Sequence, residues 1–344
     1  MSLVFNMCCP AFRFDILRAT VAATISHTIK GIAKHEDKYL IALNDGSWNL
    51  YAAWVSRNKY FPPAKLNATG TYPAAGIAVS GKRVDIPITD KYGGAIYKSR
   101  IRVSDSLSNF VSGVAGFKVT AYTGARLNCA AISPGGYTFC AGKASTDTFV
   151  TRNAITDDIS VGFTWQKLGE NGDAIDMSIC HGADGLDHAA ILTDAGTVII
   201  STIGTNGALS VEKSITSAAN SKKLVILPGD SVSKYRCAYV QKTATGHRLV
   251  SRYGNGAEVI SPDFAAQGCA IIGAGRIGKT AAIVYSDEQK NGRVYVNTDG
   301  VNGKSYPLDI ADPAAMCLTD TGIAVIGKTG GNSEQYIVVE VNPT

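Results

Sequence analysis

An all-β fold, a β-propeller of about seven blades, is what this sequence predicts. Three observations predict it: a hairpin written more than once, short apolar runs separated by Gly/Asn/Asp turns, and no amphipathic helix of three turns. Residues 188–211, HAAILTDAGTVIISTIGTNGALSV, are answered by residues 314–332, AAMCLTDTGIAVIGKTGGN. Leu192, Thr193, Asp194 and Gly196 correspond to Leu318, Thr319, Asp320 and Gly322. A shorter echo lies at 39–54, where Asn44, Asp45 and Gly46 sit between two apolar runs. Each copy reads as a β-hairpin whose Asp/Gly turn supplies the positive φ of a tight reversal. A hairpin cannot bury its own apolar face, so the copies must stack. Comparable runs begin near residues 190, 237, 270 and 316, an irregular period of roughly 32 to 48 residues. Blades of about 45 residues divide the 344-residue chain into about seven. A two-domain β-sandwich assembly is the alternative.

In chain order, the first stretch, MSLVFNMCCPAFRFDILRATVAATISH, has no basic region ahead of its apolar start and carries Arg13 and Asp15 inside it, which is not the pattern of a signal peptide. Residues 1–37 are expected to form a docking segment whose apolar residues 1–5 lie against another chain, and residues 38–344 a single β-repeat domain. Residues 56–73, with two successive prolines, read as a loop. Short strands follow from residue 74 (AAGIAVS, KRVDIPI, GAIYKSRIRV, FKVTAY, YTFCA, DTFVT), with one helical turn at 104–114. The second half is denser in the same units, from DISVGFTW through KLVIL, YRCAYVQK and TAAIVYS to QYIVVEV. Composition agrees: 45% apolar and 18% charged residues exclude disorder, and 36 glycines fit many turns. The net charge of +5 is spread without a block of like charges, so nucleic acid is not an expected partner. No run of 18 apolar residues suggests a membrane span.

The stretch Leu192-Thr193-Asp194-Ala195-Gly196-Thr197-Val198, followed by Gly204, Asn206, Gly207 and Leu209, resembles the repeat of regulator-of-chromosome-condensation-type propellers. It has that repeat's apolar pair, Leu, two polar residues and Gly, but lacks its tryptophan and glutamine. The likeness covers two clear copies and one partial copy. It implies a propeller and carries no functional residue across.

Among motifs that could carry chemistry, Gly273-Ala274-Gly275-Arg276-Ile277-Gly278-Lys279-Thr280 satisfies the phosphate-loop pattern, in which Gly273 and Gly278 would expose backbone N–H groups, Lys279 reach the phosphates and Thr280 hold magnesium. The residues after it read as strand, Asn-Gly turn and strand, leaving no helix to receive the phosphates. The tetrapeptide IGKT recurs at 326–329, which fits a turn shared by repeated strands and no nucleotide. His181, Asp184, Asp187 and His188 are close enough in sequence to ligate a metal, but lack a calcium-loop spacing and alternate along a strand, so a polar loop is the plainer reading. No cofactor is expected. The eight cysteines form no CxxC; Cys140, Cys237, Cys269 and Cys317 sit in apolar runs as small hydrophobes, while Cys8 and Cys9 could cross-link neighbouring chains. Trp48, Trp54 and Trp165 read as core. No nucleophile elbow or HExxH motif is present.

Low charge, β-richness and the lack of a catalytic signature point to a non-enzymatic assembly subunit. In style the chain looks like a tailed-phage virion component, a neck, tail or fibre-attachment protein, which implies localisation in the virion and partners that are other virion proteins or copies of itself in a homo-oligomer. The alternatives are a stand-alone propeller binding a protein or carbohydrate partner, and a carbohydrate-active enzyme.

Overall fold

The structure, a computed structural model, describes residues 12–17, 28–45, 47, 50–56, 59–60, 64–65, 71–73, 77–80, 83–90, 96–102, 117–120, 126–154, 164–216, 218–229, 232–329 and 336–343. Strand β1 (Phe12–Leu17) pairs far down the chain. Strands β2 (Thr28–His35), β3 (Lys38–Asn44), β4 (Leu50–Ser56) and β5 (Lys59–Tyr60) form one sheet, with β6 (Ala64–Lys65) also on β4. In the next, β7 (Thr71–Pro73) and β8 (Ala78–Ser80) both pair with β9 (Arg83–Asp90), which continues to β10 (Ile96–Arg102) and β11 (Phe117–Thr120). Three four-stranded sheets follow. They are β12 (Arg126–Ile132), β13 (Tyr137–Ala144), β14 (Asp147–Ala154) and β15 (Thr164–Lys167); β16 (Ala174–His181), β17 (Asp187–Thr193), β18 (Val198–Ile203) and β19 (Leu209–Ile215); and β20 (Ser221–Pro228), β21 (Tyr235–Lys242), β22 (Gly246–Tyr253) and β23 (Glu258–Ala266). The last sheet has seven strands: β24 (Ala270–Ile277), β25 (Thr280–Ser286), β26 (Asn291–Asn297), β27 (Gly303–Leu318), β28 (Ile323–Lys328), β29 (Tyr336–Pro343) and finally β1, antiparallel to β29 from Phe12↔Pro343 to Leu17↔Val338.

Four of the five apolar cores described lie between neighbouring sheets. Cys129, Phe139 and Val150 of one sheet meet Ile179, Ala189 and Ile199 of the next; Leu192 and Ile200 meet Ile226 and Tyr239; Val240 and Leu249 meet Ile283 and Tyr295. The first sheet adjoins the last, where Ile32, Ile41 and Val55 of the β2–β5 sheet pack on Ala324, Ile326 and Val338. Sheets packed side by side around such a circuit make a β-propeller, and a two-domain sandwich, with its separate cores, is excluded. Among the described residues, five sheets of four or five strands stand as separate blades where about seven were expected. The sixth sheet folds back on itself: Val284 and Val296 of its first half share a core with Val325 and Val339 of its second. The fold lies within the 16-residue β27, where the register shifts between Ala311 and Ala315 and Asp312 takes a φ of 42°.

A regular period is present, carried by backbone more than by side chains. The strand that opens each of five sheets has a register shift near its start, at Ile29/Gly31, Leu127/Cys129, Ala174/Asp176, Ser221/Lys223 and Ile271/Gly273. The inserted residues Asn128, Ile175, Lys222 and Ile272 are 47, 47 and 50 positions apart. The apolar runs suggested an irregular period because they mix strand positions: those near 190 and 237 belong to second strands, those near 270 and 316 to β24 and β27. The repeated Leu-Thr-Asp-x-Gly likewise marks a hairpin and not a blade, joining β17 to β18 in one copy and β27 to β28 in the other.

The expected boundary at residue 38 falls in the tight β2–β3 turn, since His35 pairs with Lys38, and both β1 and β2 lie within sheets of this chain. Residues 1–5, Cys8, Cys9, Trp48 and the 104–114 turn lie outside the described residues. The loop expected at 56–73 contains β5, β6 and β7. Trp54 is buried as expected, whereas Trp165, on the outermost strand β15, is 38% exposed. Cys140, Cys237 and Cys269 are buried free thiols and Cys317 is half-buried; burial pushes the Cys237 and Cys317 thiols up to about 12, which keeps them protonated and unreactive.

Candidate functional site

Antiparallel order places the turns joining first to second strands and third to fourth strands at the same end of a blade. On that face, the β12–β13, β16–β17 and β18–β19 turns border an open cavity of about 410 Å3. Each turn is fixed by its own backbone. Ser133 and Tyr137 close the first, with the Tyr137 N–H also donating to Ser133 Oγ at 3.1 Å. Gly182 N–H donates to the Leu186 carbonyl at 2.7 Å in the second, and Gly204 N–H to the Ala208 carbonyl at 2.8 Å in the third. Two bonds then stitch the neighbouring sheets together: Tyr137 O–H donates to the Thr205 carbonyl (3.1 Å), and Gly135 N–H to Asp187 Oδ2 (3.2 Å).

Asp187 Oδ1 lies 2.9 Å from His181 Nδ1. A carboxylate only accepts, so Nδ1 carries the hydrogen and Nε2 is the ring nitrogen left for another partner. The His181 side chain is 60% exposed while Asp187 is 14% exposed, so the acid sits behind the ring and the ring lines the cavity. Pro134, Tyr137, Leu186 and Ile203 supply apolar wall.

Beside the cavity, His188 is fully buried with Nε2 3.0 Å from Asp184 Oδ1, and Lys234 Nζ bridges Asp184 and Glu212 at 3.7 and 3.8 Å. Burial would raise the Asp184 carboxyl, but the His188 hydrogen bond, with the Leu186 N–H, holds it below its ordinary value. Tyr235 is pushed up to about 12, first by burial and then by Glu212.

The four residues considered as metal ligands therefore resolve into two His–Asp pairs, and among the described residues no three His, Cys, Asp or Glu side chains gather as a metal site. The phosphate-loop motif is a strand, a turn and a strand: Ile277 pairs with Thr280 across a two-residue turn in which Gly278 has a φ of 59°, and β25 follows with no helix. Gly273 lies at the β24 bulge, where a Cβ would stand 2.4 Å from Met316 Cγ, so its job is packing. The second IGKT is not a copy of that turn, because Ile326, Gly327 and Lys328 lie within β28. Sequence reading found His181 and Asp187 but missed Leu186 of the same turn, and Gly135, Tyr137 and Ile203, which come from other turns. Their only signal was the SPGG and GTNG turn composition, which says nothing about partners in space.

The same face carries exposed apolar residues on successive turns. Ile132 ends β12, Leu186 is 47% exposed, Val232 is 92% exposed in the β20–β21 turn, and Val301 is 44% exposed in the β26–β27 turn. A backbone bond from Ala183 N–H to the Lys234 carbonyl (3.0 Å) holds the Leu186 and Val232 turns together.

No family model matches the sequence, and no curated protein matches it significantly. The fold does match solved structures. The Pan2 WD40 domain of Neurospora crassa superposes with a TM-score of 0.59 at 12% identity, covering 95% of each chain. BBS1N, crystallised in complex with ARL6DN, gives 0.59 at 13% identity over 96% of this chain and 98% of its own. A chain of the mitotic checkpoint complex gives 0.57 at 14% identity over 99% and 98%. At such identities the likeness establishes the propeller and nothing finer.

Proposed function

We propose that this propeller is a non-enzymatic platform that binds a protein partner through the face bearing the His181–Asp187 cavity. The observation that carries the reading is the joint placement of a preformed cavity and the exposed Ile132, Leu186 and Val232 on adjoining turns of one face. Apolar residues on rigid turns bordering a pocket are what a docked chain buries. Two structures of similar fold are described as complexes, BBS1N with ARL6DN and the mitotic checkpoint complex, which supports protein binding as a use of this architecture. The virion reading gains no support from these neighbours, and the stand-alone partner-binding alternative replaces it. For the ring we propose seven blades, counting the two halves of the β24–β1 sheet separately; the shared core between those halves and the 47- to 50-residue bulge spacing support this count.

The test is selection of peptides from a displayed library on the immobilised protein. Binders are expected to be lost in the double variant Leu186→Glu, Val232→Glu and retained in Gln289→Glu, which lies on the opposite face. Binders indifferent to the double variant would overturn the reading.

A further inference from the structure

Resting on that reading, we infer that the cavity takes one tyrosine side chain of the bound segment, its ring against Leu186 and Tyr137 and its hydroxyl hydrogen-bonded to His181 Nε2. The argument is a count of what the cavity offers. Its polar groups are mostly engaged within the protein: Asp187 receives His181 Nδ1–H and Gly135 N–H, Ser133 Oγ receives Tyr137 N–H, and Tyr137 O–H is given to the Thr205 carbonyl. His181 Nε2 is the ring nitrogen left open toward the cavity, in a ring already oriented by Asp187. One oriented ring nitrogen amid Pro134, Leu186, Tyr137 and Ile203 matches one hydroxyl on an apolar ring, a group that can donate or accept. A sugar would bring several hydroxyls to a wall with few free partners, and a carboxylate would face the Asp187 charge. A phenylalanine would fill the space but leave His181 Nε2 without a bond. A phenol satisfies both, and tyrosine is among the residues that anchor protein interfaces for this reason. The cavity, at about 410 Å3, exceeds one aromatic side chain and leaves room for flanking backbone.

Binding of N-acetyl-tyrosinamide and N-acetyl-phenylalaninamide, measured by ligand-observed NMR on the intact chain, decides it. The wild type is expected to prefer the tyrosine probe by about tenfold, the upper end of the net value of one hydrogen bond. In His181→Ala, an exposed position whose loss leaves the fold intact, the preference should fall to about one. Leu186→Asp, which spoils the wall, should weaken both probes together. Equal binding of the two probes by the wild type, or a tyrosine preference that survives in His181→Ala, overturns the inference. Library peptides that depend on Leu186 and Val232 yet carry no tyrosine overturn it too, while leaving the platform reading in place.

Discussion

Arg236 is 2% exposed between two sheets, with no carboxylate in ion-pair range among the described residues. Its guanidinium instead donates to Asn297 Oδ1 (2.7 Å), Ser251 Oγ (3.0 Å) and the Thr298 carbonyl (3.1 Å), and lies 5.3 Å from the centre of the Tyr253 ring. Burial lowers its pKa, with Tyr253 and Asp299 working the other way. This is a planar fork clamping the β20–β23 sheet to the turn after β26, and a lysine cannot reproduce it. Arg236→Lys is expected to cost about 2 to 3 kcal/mol, read as a lowered midpoint in denaturant unfolding with the slope unchanged. Little of this was legible beforehand, because Arg236 is the second residue of the apolar run YRCAYVQK and its partners lie elsewhere in the chain. What the run did disclose was burial: Cys237, Ala238 and Tyr239 are all 1% exposed or less. Apolar neighbours betray a core, but a buried cation is betrayed only by partners that the fold brings in. The same limit explains why the His181–Asp187 pair was visible and its cavity was not.

At the level of the hairpin, the repeated Leu-Thr-Asp-x-Gly shows one letter kept for two physical reasons. Gly196 has a φ of 79°, and a Cβ on it would lie 2.7 Å from Ala219 Cα and N. Gly322 has no positive φ, yet a Cβ there would lie 2.0 Å from the Val341 carbonyl oxygen. Both turns reuse the threonine: Thr197 N–H donates to Thr193 Oγ1 at 3.1 Å, and Gly322 N–H to Thr319 Oγ1 at 2.9 Å. Gly278, in the motif that mimics a phosphate loop, has a φ of 59° but nothing within 4 Å of its would-be Cβ. Gly278→Ala should therefore cost roughly 1 to 2 kcal/mol, the strain of a left-handed alanine. Gly196→Ala adds a backbone collision and should cost about 3 kcal/mol or more. Thermal unfolding of both variants side by side checks the order, and a Gly196→Ala as mild as Gly278→Ala would remove close approach as the reason for that glycine. Hairpins were readable in the sequence because turn chemistry is local. Their place within a blade was not, since the same turn serves β17–β18 and β27–β28.

The whole ring depends on a seam between residues far apart in the chain. There β1 pairs with β29 as the last strand of the sheet that starts at β24, and the core of Ile32, Ile41 and Val55 meets Ala324, Ile326 and Val338. A polar clasp spans the same seam: Lys34 Nζ lies 2.9 Å from Glu340 Oε1, which also accepts the Tyr39 hydroxyl. Burial alone would raise the Glu340 carboxyl, but the Tyr39 hydrogen bond and the Lys34 ammonium overcome it and hold the group below its ordinary value of 4.5. The sign of the pH dependence follows. Above 4.5 the carboxyl is ionised folded or unfolded, and the clasp contributes in full. As pH falls below that value the unfolded chain takes up the proton first, so stability declines until the lowered folded pKa has been passed. Glu340→Gln should lower stability at pH 7 by about 1 kcal/mol, since both partners are only partly shielded from solvent, and should remove this component of the acid decline. Urea unfolding of both proteins between pH 7 and 3 measures it: convergence of the two stabilities in acid assigns the clasp to the seam, whereas a constant gap across that range would assign Glu340 a packing role only.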